Sequence, residues 1–217
     1  MKYPSAHAGV KKLFIAEILS VVFAAISLIA AILASIALNN GGEGPLANTA
    51  AIIALVAGIV SIVAFVIQLI GLRQANHDHG AFGIAFWITI AALVLQIVAS
   101  ILSSVLTDGK AITGGIFSTI VSILTALAFI YTLFGIIGLS AALGNEGMVI
   151  WGRRLITIFV ALHIVIIFTE VFNTIPWSNE GARVIFSTIT IVAAAIEVVS
   201  YVLTLIYYAK AIKMLEK

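Results

Sequence analysis

Six uninterrupted apolar runs constrain this chain more than any other feature. They cover 13–38, 49–72, 81–106, 116–143, 155–175 and 184–209. Each reaches the roughly 20 residues that a helix needs to cross a bilayer. Of the 20 charged residues, only Glu17, Glu170 and Glu197 fall inside a run. The runs are rich in Ile, Val and Phe, which in water favour strands. They lack the alternation of a membrane barrel, and in hydrocarbon a helix satisfies its own backbone. The sequence therefore reads as an all-α integral membrane protein. It is expected to be a six-transmembrane-helix bundle forming a single transmembrane domain over 1–217.

Composition agrees. Of 217 residues, 63% are hydrophobic and 9% charged, against about 25% charged in an ordinary soluble domain. So few charges cannot cover a water-facing surface. This excludes a cytosolic globular enzyme and a disordered chain. The net charge of +2 comes from Lys and Arg at run ends, not from a basic patch, so no nucleic-acid partner is expected. The absence of cysteine excludes disulfides, thiolate metal sites and cysteine nucleophiles. No cofactor is expected.

The connectors carry turn formers, such as 39–45, Asp108-Gly109, Gly144-Asn145-Glu146-Gly147 and 176–181. All are short, so consecutive helices should be antiparallel neighbours. Lys2, Lys11, Lys12, Arg73, Arg153, Arg154, Lys210, Lys213 and Lys217 fall on one side of the layer, and only Lys110 and Arg183 on the other. That bias predicts both termini in the cytoplasm. A bacterial cytoplasmic membrane is the expected home. Trp151 and Tyr207-Tyr208 should form an inner aromatic belt, with Trp177 at the outer interface. The first run is too long for the 7–15-residue core of a signal peptide and is read as a span.

An internal repeat of about 67 residues is suggested by Ala8, Ala75, Ala142 and Ala209. Ile70-Gly71-Leu72 falls on Ile137-Gly138-Leu139, and Gly80 on Gly147. Three parallel two-helix hairpins are the simplest reading. Ser27, Ala31 and Ser35, and likewise Ala50, Ala54 and Gly58, form small-residue stripes expected at helix contacts.

Polar residues at depth are costly, so each is a candidate site. Glu197 and His163 fall at matching depth on adjacent antiparallel spans. Gln96 is the repeat counterpart of His163, and Tyr131 also lies near the midplane. These four make a candidate polar layer for substrate or protons, or a structural hydrogen-bond cluster. Glu17 and Glu170 lie nearer the interfaces, where pairing or snorkelling explains them. His77 and His79 in the second connector are weak metal candidates, since no second ligand pair is spaced to join them. There is no phosphate-binding glycine loop, nucleophile elbow or zinc-protease motif.

Three functional readings follow. The first is a non-enzymatic subunit or scaffold of a membrane complex, with the bilayer and a protein partner within it. The second is a small-solute transporter or substrate-binding membrane subunit, proton-linked through Glu197 and His163. The third is a membrane-embedded enzyme acting on lipid through the 77–79 turn. The lack of cysteine makes the topology directly testable. Gly41→Cys should react with a membrane-impermeant maleimide on intact cells, and His77→Cys only after the membrane is opened. The opposite labelling pattern would invert the expected orientation.

Overall fold

The computed structural model describes residues 2–39, 45–105, 110–173 and 199–216. Helices α1 (Pro4–Asn39), α2 (Pro45–Ala75), α3 (Ala81–Val105), α4 (Lys110–Ala142) and α5 (Glu146–Asn173) follow in order. A sixth helical segment, α6, covers 199–215. There is no strand among the described residues. The shortest of the five complete helices, α3, has 25 residues, or about 37 Å at 1.5 Å per residue. All five are long and apolar enough to cross a membrane. The first half of the expected sixth span lies outside the described residues.

The helices outrun the apolar sequence that announced them. Helix α1 starts at Pro4 rather than 13, and α5 at Glu146 rather than 155. Apolar runs mark where hydrocarbon must be crossed, whereas caps mark where helices stop. Proline suits the first turn, where its missing N–H has no partner to lose. Between α4 and α5 the cap is explicit. Gly144 adopts φ +69°, which suits a residue without Cβ. Asn145 N donates to Ser140 O at 2.9 Å and Gly144 N to Ala141 O at 3.0 Å, closing a Schellman motif. Asn145 Oδ1 then accepts from Met148 N at 3.2 Å and caps α5.

Helices α1 and α2 pack along much of their length as an antiparallel pair. They come close at Gly9 and Gly71, where a Cβ on Gly9 would stand 2.6 Å from Gly71 O. From that register buried small residues fall at seven-residue steps, without a gap on α2 and with the half-buried Phe23 in place of one on α1. They are Ala16, Ala30 and Ala37 on α1 and Ala50, Ala57 and Ala64 on α2. An antiparallel register starting at Gly9 and Gly71 sets Ala16 level with Ala64 and Ala30 level with Ala50. A seven-residue period is the seam of two helices crossing at about 20°. The four-residue stripe expected at Ala50, Ala54 and Gly58 is corrected: Ala54 is exposed and nothing lies within 4 Å of a Cβ on Gly58. Of the α1 stripe, Ser27 is half-buried, and the Ala31 and Ser35 side chains lie outside the described residues.

The remaining helices follow in sequence. Helix α3 meets α2 lightly and α4 extensively, and α4 meets α5. Helix α4 is central: 39% of its span is buried, against 22% or less in the other four. Helix α6 returns the chain to α5 and α1, with Tyr207 against Gly152 and Glu216 against His7.

The large-residue core sits at one end. It joins Val10 and Leu13 of α1, Leu72 of α2, Phe82 of α3, Leu133 and Ile136 of α4, Met148 and Leu155 of α5, and Tyr207, Tyr208 and Leu215 of α6. All are near the ends of the helices that carry the termini and the 76–80 and 143–145 turns. Tyr207 and Tyr208 therefore do not form an aromatic belt, because both are buried inside the bundle. Deeper along the helices the outward faces are apolar. Ile52, Leu55 and Ile62 of α2 are 65–66% exposed, an apolar surface compatible with contact to lipid.

The seam predicts an asymmetry between two glycines. Gly9→Val should lower stability by about 1–3 kcal/mol, the usual cost of overpacking. Gly58→Ala, with open space around it, should change stability by less than about 1 kcal/mol. Thermal unfolding in detergent distinguishes the two, and equal losses would remove the close approach as the cause.

Candidate functional site at the terminal end of the bundle

The residues expected to form a polar layer occupy different settings. Glu197 lies outside the described residues. His163 is half-buried on α5. Its Nδ1 donates to Phe159 O at 3.2 Å, one turn back in its own helix. Its ring stacks on Phe159 at 4.0 Å, and Phe159 stacks on Phe129 of α4 at 4.1 Å. Tyr131 packs edge-on against Phe134 of the same helix at 6.2 Å. Gln96 is exposed on α3. No hydrogen bond joins Gln96, Tyr131 and His163 to one another among the described residues.

The hydroxyls at depth behave as His163 does. Thr89 donates to Ala85 O, Thr132 to Ala128 O and Thr204 to Ser200 O, at 2.8–2.9 Å. Each satisfies itself within its own helix, the inexpensive solution where no water is at hand.

Polar contacts between helices gather instead at the terminal end. Asp78 Oδ2 accepts from Ala6 N at 2.6 Å, so the 76–80 turn caps the start of α1. The charge suits that position, since the N-terminus of a helix favours an anion. Lys12 Nζ donates to Gln74 Oε1 across the α1–α2 seam. His7 Nε2 lies 3.6 Å from Glu216 Oε1 and ties the first helix to the last. Tyr207 donates its hydroxyl to Met148 O at 3.4 Å.

The two weak metal candidates have separate surroundings. His79 turns its ring onto Gly138 of α4, where any Cβ would collide with it. Its Nδ1 accepts from Ala81 N at 3.3 Å, at the start of α3. His77 is exposed. No group of three or more His, Asp or Glu stands close enough to hold a metal among the described residues. Glu17 is half-buried on α1, within electrostatic range of Tyr208, while Lys12 is taken by Gln74. The Glu170 side chain lies outside the described residues.

Sequence reading singled out the 77–79 turn for its two histidines. Asp78, sitting between the histidines, carries the cross-chain contact. Its signal was present: a lone carboxylate in a short turn, on the side of the layer where a helix begins. Which helix it caps is a matter of tertiary contact.

Asp78→Ala should cost about 1 kcal/mol, the usual loss of a helix cap. His77→Ala should leave the thermal midpoint unchanged. Equal effects of the two changes would remove Asp78 as the cap.

Compared with protein-family models, with curated proteins and with solved structures, the chain matches none.

Proposed function

We propose that this chain is a non-enzymatic subunit or scaffold of a membrane complex. Its helices are long and apolar enough to cross a bilayer. The observation that carries the reading is where the polar groups point. Hydroxyls along the spans bond back to their own helices, and His163 does the same. The contacts that join one helix to another include a seam of small residues between α1 and α2, the Phe129–Phe159 stack between α4 and α5, and a polar and apolar clasp at the terminal end. This arrangement suits a part that holds shape inside a membrane. The proposed orientation keeps both termini cytoplasmic, with six spans arranged as three parallel hairpins. Supporting the hairpin reading, α2 ends at Ala75 and α4 at Ala142, the 67-residue interval of the repeat.

A small-solute transporter is the second reading, and it rests on Glu197 at the expected depth of His163. One purification separates the two. The protein is extracted from native membranes in mild detergent, and everything retained is identified by mass spectrometry. A stoichiometric protein partner is the expected result. A chain that comes out alone with a bound small solute would overturn the subunit reading in favour of transport.

A further inference from the structure

At the terminal end, the first turn of α5 and the last turns of α6 leave an open groove of about 620 Å³. Its lining is of two kinds. Met148 and Met214 are buried and give it an apolar floor. Lys210 and Lys213 are exposed and, three residues apart, share one face of α6. Trp151 joins the two. Its half-buried ring packs edge-on against Tyr207 at 5.7 Å and carries Lys210 Nζ 4.3 Å from its centroid.

The charge in this groove is not neutralised internally. Neither lysine pairs with a carboxylate among the described residues, where Glu216 Oε1 lies 3.6 Å from His7 Nε2. The other carboxylate close in sequence, Glu146, is exposed in the first turn of α5. Asn145 uses Oδ1 to cap Met148 N, and its Nδ2 has no partner among the described residues.

We propose that this groove binds the headgroup of an anionic phospholipid. Lys210 and Lys213 hold the phosphate, and Asn145 Nδ2 donates to a headgroup oxygen. Met148, Met214 and the Trp151 ring take the glycerol and the first acyl carbons. A free phosphate would use the lysines and gain nothing from the floor. A zwitterionic lipid such as phosphatidylcholine would use the floor and offer its phosphate, but would bring its own ammonium beside the two lysines. A phospholipid with net negative charge uses both. The groove also lies where such a lipid would be met, at the end of the spans beside an amphipathic tryptophan. Basic pockets between helices at a membrane surface recognise acidic headgroups in this way. The site rests on the membrane reading but needs no protein partner.

The test uses the full chain in neutral detergent, with phosphatidylglycerol, phosphatidylcholine or inorganic phosphate added. Native mass spectrometry reads what stays bound, and thermal unfolding reads the stabilisation. Phosphatidylglycerol should bind and raise Tm at concentrations at least about twenty-fivefold below those phosphatidylcholine needs. Phosphate at equal concentration should do nothing. The double variant K210A/K213A should lose about twenty-fivefold of the preference, at about fivefold per lysine. K210R/K213R should keep most of it. If K210A/K213A unfolds without its cation on Trp151, K213A alone should still lose about fivefold.

Equal response to the two lipids overturns the proposal, as does a folded double-alanine variant that keeps the preference. Stabilisation by phosphate alone would make this a site for soluble anions and overturn the lipid assignment. Membranes are washed in alkaline carbonate beforehand. A chain that washes off would overturn the membrane reading and this site together. A chain that stays but shows no preference would overturn the site alone.

Discussion

The close approach of α1 to α2 at Gly9 and Gly71 is the constraint on which the rest of the packing hangs. In hydrocarbon, burying a leucine gains little, because lipid tails are equally apolar. Helices there are held by dispersion between surfaces that come close, and closeness requires small side chains. Two glycines that meet beside the terminal-end core, where Gly71 O would lie 2.6 Å from a Cβ on Gly9, set the register. Buried alanines at seven-residue steps carry it along α2 and, with Phe23 interrupting them, along α1. A bulky residue at Gly9 would meet the backbone of α2, which has no rotamer to yield.

A different force organises the terminal end. The core there is built of large residues such as Phe82, Leu133, Ile136, Leu155 and Tyr207, whose burial gains most where water is the alternative. The polar ties at that end, from Asp78 to the start of α1 and from His7 to Glu216, are affordable for the same reason. Water can solvate what they leave over. Small seams at depth and a large-residue clasp at the end are two answers to two solvents.

Much of the architecture was legible. The apolar runs located the helices, since no other secondary structure could satisfy its backbone in lipid over such lengths. The Gly144-Asn145 turn was legible too, because few residues suit a left-handed end followed at once by a new cap. The helix ends were less so. Residues 4–12 and 146–154 are helical although polar enough to read as connectors. The seven-residue alanine period was present in the sequence but obscured by four-residue coincidences in a chain so rich in alanine. The candidate site was the least legible part. Equal depth placed His163 and Glu197 on one level, yet depth says nothing about the direction a side chain takes. His163 is turned to Phe159 and its own helix.

Sequence alone determined that this chain is helical, built for an apolar solvent, and charged at the ends of its spans, because those properties follow from length and composition along the chain. Tertiary structure alone decided which charge meets which partner. Asp78 caps α1, Lys12 reaches Gln74, and Lys210 settles on Trp151. Each of these depends on the azimuth and register of helices far apart in the chain. A hydropathy pattern carries depth along the membrane normal but not rotation about it.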